Sequence, residues 1–409
     1  MKKTLLKLLI IIYILIPITN IKALDTYSKN VVLYNMNEDK IIYEKDSDKK
    51  VKVASLTKIM TTIIALENIN NIKEETIMPQ EAFKELDGYV TSGFKINQTV
   101  TYEDLLYGTM LPSAADCANA IALKVSGTIE EFVKLMNLKA QELNMESTHF
   151  SNPIGMDDDN YSTVKDIAIL LKYALKNQDF YKIFTTKEYI TSTNLKLEST
   201  IIEKSKPYNL DVSTILGSKT GFTDEAGNCL ASISKINGVK YLLITTNASI
   251  KNSYHILDAI NVYDYYSKNY SYKKILNYNQ SLKTIKIKNI IEKEYEIKSD
   301  NDIYMYLNND IDTNNLTYEY EGLEEVTKET DSQRRADAGR RGHTGIRFMG
   351  SHDSHCQGKQ CEHDGGSQCR NGAVDAGCLM EPHHAELLQE QRRESSNCTR
   401  PWRCSPAHL

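Results

Sequence analysis

The chain has 409 residues and a formal net charge of −5 at pH 7, with 41% hydrophobic and 25% charged residues. That length leaves room for a sizeable core and about two to three domains, and the composition is that of a soluble globular protein. The acidic balance excludes the basic footprint of a nucleic-acid binder, so no nucleic acid is expected as a partner.

At the N-terminus, Lys2, Lys3 and Lys7 precede a short apolar run from Leu8 to Ile16, which Pro17 breaks; Ile21-Lys22-Ala23 then offers a small residue at a cleavage point. Residues 1–23 therefore read as a signal peptide. The run is shorter than the ~20 apolar residues of a spanning helix, so membrane contact is expected only peripherally or through an uncleaved leader. The protein is expected to be exported, to the extracellular face of the cell envelope or beyond.

From Leu56 to Asn68, apolar residues at Ile59, Met60, Ile63, Ile64 and Leu66 predict a helix with one buried stripe. Ser55 stands at its start, and the three-residue offset puts Lys58 one turn along on the same face, within hydrogen-bond reach of the Ser55 hydroxyl. Further helices are predicted over Ala114–Lys124, Phe132–Leu143 and Val164–Leu175. His149 and His255 are isolated, without a metal-ligand partner at useful spacing, and read as structural. No cofactor or metal is expected.

Around Lys219, the segments Ser213–Thr223 and Ala226–Ile233 give two short strand-like runs flanking a Gly-bearing turn region, and Val239–Thr246 supplies a third, strongly apolar strand. These read as successive antiparallel strands with Lys219 on an edge. An edge strand offers unpaired N–H groups, and here a cation, to an extended peptide ending in a carboxylate. Helices alternating with strands near both ends of residues 31–268 suit a sheet covered by helices whose first and last strands are neighbours.

From about Tyr272 the texture changes to alternation, with Ile285 and Ile287, Tyr295 and Ile297, then Ile303, Met305 and Leu307 separated by Asn- and Asp-rich turns. This predicts a small all-β module over residues 271–326. Beyond it the composition breaks. Every Arg lies at or after Arg334, whereas all 25 Tyr lie at or before Tyr320. Residues 327–409 read as a disordered tail of foreign or frameshifted origin. Six of the eight Cys fall there, without a Cys-x-x-Cys spacing, so a zinc module is not expected. Cys117 and Cys229 could be free thiols or a disulfide; spacing leaves both open.

Ser-x-x-Lys at Ser55–Lys58 and Lys-Thr-Gly at Lys219–Gly221 are part of the signature shared by β-lactamases and penicillin-binding proteins. Residues 28 to about 268 resemble the serine-type D-alanyl-D-alanine carboxypeptidases, the low-molecular-mass penicillin-binding proteins. The likeness extends to Val31–Tyr43 as an opening strand pair, Thr148-His149-Phe150-Ser151-Asn152-Pro153-Ile154-Gly155-Met156, Tyr161-Ser162-Thr163 and Ala226-Gly227-Asn228-Cys229. It implies an α+β fold, an antiparallel sheet covered by helices, followed here by a truncated all-β domain; the domains are then 24–270 and 271–326. One departure stands out: where the family has Ser-x-Asn, this chain has Ser113-Ala114-Ala115, so the amide is missing. Asp116 and Asn119 are the nearby candidates to replace it. The resemblance also implies an amphipathic membrane anchor at the C-terminus, for which Ala385–Arg393 is too poor in apolar residues.

The resemblance implies the chemistry. A serine hydroxyl needs a base, and a free lysine with a pKa of about 10.4 is protonated at neutral pH, so Lys58 must be tuned downward by burial and by Lys219. Lys58 is then the base that activates Ser55, Ser113 relays the proton to the leaving amine, and Lys219 with Thr220, Gly221, Phe222 and Thr223 holds the substrate. The N–H groups of Ser55 and Phe222 would form the oxyanion hole. The expected substrates are peptidoglycan stem peptides ending in D-Ala-D-Ala, with β-lactams as inhibitors. Glu142-Leu143-Asn144 lacks an acid two residues before Leu143, where Gln141 stands, so fast β-lactam hydrolysis is not expected.

Overall fold

The computed structural model describes residues 11–15, 24–156, 159–287, 294–313, 317–321 and 325–326. The expected tail, 327–409, and most of the expected leader lie outside the described residues. Of the leader, Ile11–Leu15 forms a strand antiparallel to Thr317–Glu321. Among the described residues, no helix is long and apolar enough to cross a membrane.

The centre is a five-stranded, wholly antiparallel sheet. Its strands are β1 (Asn30–Asn35), β2 (Lys40–Lys45), β3 (Gly217–Thr223), β4 (Gly227–Ile236) and β5 (Val239–Ala248), in the order β2-β1-β5-β4-β3. The first strand thus pairs with the last, Leu33 opposite Leu243, and β3 is an edge strand, as the sequence predicts. All six residues of β1 are buried, because both faces of the sheet are covered and alternation feeds two cores. Val31, Leu33, Tyr241 and Leu243 pack against α8 (Tyr254–Asn269) with Ile256, Val262 and Tyr263. Val32, Leu242 and Ile244 face the larger helical layer.

That layer comprises α1 (Lys58–Asn68), α2 (Tyr102–Met110), α3 (Ala115–Ser126), α4 (Ile129–Glu142), α5 (Val164–Ala174) and α6 (Gln178–Thr185). Several of these helices begin at side-chain caps. Thr101 and Asp104 make a reciprocal capping box on α2, and Thr163 accepts from Asp166 N at the start of α5. Residues Lys58–Ala65 of α1 are buried without a break, so α1 is a core helix rather than the one-striped helix predicted. The short helix α7 (Thr200–Ser205) follows α6 and lies beside the edge strand.

The alternation past Tyr272 forms strands: β6 (Tyr270–Leu276) pairs with β9 (Ile303–Asn308), and β7 (Ser281–Ile287) with β8 (Glu294–Lys298). A tyrosine cluster ties β6 and β9 to the sheet. Tyr241 and Tyr306 share a 2.7 Å hydrogen bond, and the Tyr306 ring stacks on Tyr270.

Candidate active site

Ser55 sits in a single 3₁₀ turn, Ala54–Thr57, that runs directly into α1. Ala54 holds φ = +47°, a left-handed conformation that costs free energy for any residue with a Cβ and is kept only where surroundings enforce it. The enforcing neighbours are a loop on one side and β3 on the other. In the loop, Asn152 Oδ1 accepts from the backbone N–H groups of Ile154, Gly155 and Met156, and Thr61 donates to the Pro153 carbonyl at 2.6 Å. Gly155 adopts φ = +82°, and a Cβ there would lie 2.0 Å from the Ala54 carbonyl oxygen. Only glycine allows this approach.

The approach matters because it delivers the Ile154 carbonyl to Lys58. Lys58 Nζ donates to Ser55 Oγ at 3.0 Å and to Ile154 O at 2.9 Å. The lysine is buried, and burial lowers its pKa to about 7 against the opposing pull of Asp116. Cys117 contributes little to that pull: burial pushes its own thiol well up, so the sulfur is neutral and carries no charge. A neutral amine 3.0 Å from a hydroxyl is placed to accept its proton.

On the other side, β3 lies against the serine turn. A Cβ at Gly221 would meet Ser55 N at 3.1 Å and Val53 O at 3.2 Å. Lys219 is buried, and its Nζ turns to the carbonyl of Thr220 at 2.9 Å. Burial, then repulsion from Lys58 and Lys204, hold its pKa well below the ordinary lysine value. The repulsion falls on Lys219; Lys58 answers chiefly to its own burial. Thr220 and Thr200 share a 2.6 Å hydrogen bond. Phe222 is half-exposed, and Thr223 Oγ1 accepts from Ala226 N, closing the turn between β3 and β4.

Ser55, Lys58, Lys219, Thr220 and Gly221 thus meet at one place. Ser113 is bound less tightly into it. It holds φ = +67° just ahead of α3, and its buried Oγ has no partner among the described residues. Neither candidate for the missing amide reaches Lys58 by a hydrogen bond: the Asp116 carboxylate is taken by Ser92, and the Asn119 amide donates to the Ala82 carbonyl. Two contributors lay outside the sequence reading. The Ile154 carbonyl was hidden because a backbone atom leaves no residue signature, and Lys204 because nothing in a short helix marks one lysine among several. Cys117 and Cys229 are free and buried. His255 is buried, neither of its ring nitrogens has a hydrogen-bond partner among the described residues, and burial lowers its pKa to about 3. Among the described residues, no group of His, Cys, Asp or Glu could hold a metal ion.

The family model of the D-alanyl-D-alanine carboxypeptidases matches residues 18–250 of the sequence. The chain belongs to this family. It is a serine-type peptidase of the D-alanyl-D-alanine carboxypeptidases, and the α+β fold is that of the low-molecular-mass penicillin-binding proteins. D-alanyl-D-alanine carboxypeptidase DacF of Bacillus subtilis is 27% identical over 309 residues, 74% of this chain and 75% of that one. A D-alanyl-D-alanine endopeptidase of Escherichia coli is 28% identical over 233 residues, 57% of this chain and 74% of that one. Among solved structures, a serine-to-alanine mutant of the Streptomyces K15 DD-transpeptidase superposes with a TM-score of 0.54 at 26% identity, covering 59% of this chain and 98% of that one. Penicillin-binding protein 3 of Streptococcus pneumoniae, described as a peptidoglycan synthesis regulatory factor, reaches a TM-score of 0.58 at 21% identity over 70% of this chain and 86% of that one, which speaks for the fold.

Proposed function

We propose that this carboxypeptidase-family enzyme removes the terminal D-alanine of peptidoglycan stem peptides through an acyl-enzyme on Ser55. The observation that carries the reading is the pair Lys58 Nζ to Ser55 Oγ at 3.0 Å, with the lysine buried and its pKa near 7. Lys58 takes the hydroxyl proton, and the Ser55 oxygen attacks the carbonyl of the penultimate D-alanine. The developing oxyanion lies by the N–H of Ser55, where β3 runs past at Gly221. The departing amine takes a proton from Lys58 by way of Ser113, whose unpartnered hydroxyl is free for that bridge once substrate is present. Lys219, with the hydroxyl of Thr220, receives the terminal carboxylate, while the free edge of β3 pairs with the peptide and Phe222 borders it.

Relatives of this family carry the names carboxypeptidase, endopeptidase and transpeptidase. Water as the acceptor of the acyl group is our choice among these, and release of D-alanine from diacetyl-L-lysyl-D-alanyl-D-alanine tests it. A product in which an added amine replaces the D-alanine would point to transfer. A β-lactam would acylate the same serine and stay, since Gln141, not an acid, stands two residues before Leu143. We further propose that residues 1–23 are an export leader, that 24–270 form the catalytic domain and 271–326 a shortened β-domain, and that the enzyme works outside the cytoplasmic membrane, where its substrate lies. Intact-mass measurement after penicillin treatment decides the central claim: a penicilloyl adduct is expected, and its absence would sink the acyl-enzyme reading.

A further inference from the structure

One hydroxyl beside the edge strand has no part in the steps above. Thr200, the first residue of α7, is buried, and its Oγ1 lies 2.6 Å from Oγ1 of Thr220 on β3, which is buried too. Among the described residues, neither hydroxyl has another hydrogen-bond partner. Thr200 is fixed from two further sides. Its backbone N–H donates to the Leu111 carbonyl at 3.0 Å, just ahead of Ser113, and the next side chain, Ile201, is buried in the core that also holds Ile215 and Leu230. Leu230 is the residue that pairs with Thr220 between β3 and β4. A single residue therefore straps the loop that carries Ser113 to the strand that carries Thr220.

Two hydroxyls carry two protons, and the bond between them uses one. When Thr220 donates, its proton is spent on Thr200. When Thr200 donates, the Thr220 proton stays free. A carboxylate only accepts, so its arrival at Thr220 selects the second arrangement, with Thr200 donating to Thr220 and Thr220 to the substrate. Bonds in such a chain polarise and strengthen one another, and burial keeps water from competing for either oxygen. We propose that Thr200 is a positioning residue for the substrate: its hydroxyl, held by α7 and by the Leu111 carbonyl, donates to Thr220 and turns that residue's proton toward the terminal carboxylate of the peptide. The hydroxyl acts on the carboxylate end of the peptide and not on the proton transfers at Ser55, so its loss falls on KM rather than on kcat.

The inference rests on the reading that Thr220 receives the terminal carboxylate, and one experiment separates the two. Release of D-alanine from diacetyl-L-lysyl-D-alanyl-D-alanine gives KM and kcat for the full chain as wild type, Thr200→Val, Thr200→Ser and Thr220→Val. The analogue with ethylamine in place of the terminal D-alanine, which lacks the carboxylate, serves as a competitive inhibitor and need not be cleaved. Thr200→Val keeps the shape and loses the hydroxyl. In it, KM for the acid is expected to rise about three- to tenfold with kcat within about twofold of wild type, while the inhibition constant of the analogue is unmoved; Thr200→Ser should restore the wild-type KM. Should Thr200→Val fail to fold, Thr200→Ala against Thr200→Ser makes the same comparison. An equal loss for acid and analogue, or no loss at all, would leave Thr200 a structural strap and overturn the proposal. Equal losses in Thr220→Val would take the carboxylate away from Thr220 and remove the underlying reading, whereas a loss confined to the acid in Thr220→Val alone would overturn only the role of Thr200.

Discussion

Lys58 and Ile154 are joined by a 2.9 Å hydrogen bond across 96 residues of sequence, and that bond leaves the lysine's remaining reach for Ser55. A buried amine with two acceptors is both oriented and desolvated. If this pair drives acylation, Ser55→Ala should abolish the penicilloyl adduct and lower D-alanine release by at least about 10³-fold, with the thermal midpoint nearly unchanged. Intact-mass spectrometry and a D-alanine assay check both.

The pH dependence follows from the lysine. Its protonated form is inactive as a base, so acylation should rise through pH about 7, the value to which burial lowers Lys58. Rates rising only with a group near the free-lysine value would contradict the tuning.

The same burial has a stability sign. The unfolded chain holds the lysine proton up to its ordinary pKa, whereas the folded chain releases it near 7. Between those values the unfolded state binds more protons, so this group's contribution to stability improves as pH rises and worsens as pH falls toward 7. Lys58→Met should therefore be more stable than wild type at pH 7, by on the order of one to a few kcal/mol. The gap should narrow by pH 10. Urea unfolding of both proteins at several pH values measures it.

Lys219 predicts proton uptake. In the free enzyme burial and two neighbouring lysines disfavour its charge, and an arriving carboxylate favours it again. Binding of a D-Ala-D-Ala peptide to Ser55→Ala should take up protons at neutral pH and weaken as pH rises. Calorimetry in buffers of different ionisation enthalpy would show it, and a heat independent of buffer would count against it.

Gly155→Ala should be severe. The new Cβ would press on the Ala54 carbonyl in a backbone conformation that disfavours side chains. A loss of about 2–4 kcal/mol and of most acylation is expected, the latter because the turn carrying Ser55 must shift.

Much of this was legible in the sequence because periodicity and motif spacing report it. The edge position of Lys219 followed from three strand-like runs in succession, and the pairing of the first strand with the last from strands at both ends of a helical stretch. The all-round burial of α1 was not legible: the apolar stripe marks one buried face, and Thr61 and Thr62, which lie outside it, are buried as well. Nor was the loosely held Ser113, since a hydroxyl's partner depends on loops that no spacing specifies. The replacement of the family's amide by Ala115 was visible at once. That neither Asp116 nor Asn119 fills its place by a hydrogen bond required knowing that Ser92 and Ala82 had claimed them.

The pairing of β1 with β5 also constrains how the polypeptide comes to life. The serine turn gains its second wall only when β3 lies in the sheet, and β3 is docked through β4 and β5 to a strand made some two hundred residues earlier. Such distant partners close slowly. A nascent chain will have delivered its nucleophile long before the groove around it exists, so reactivity arrives last.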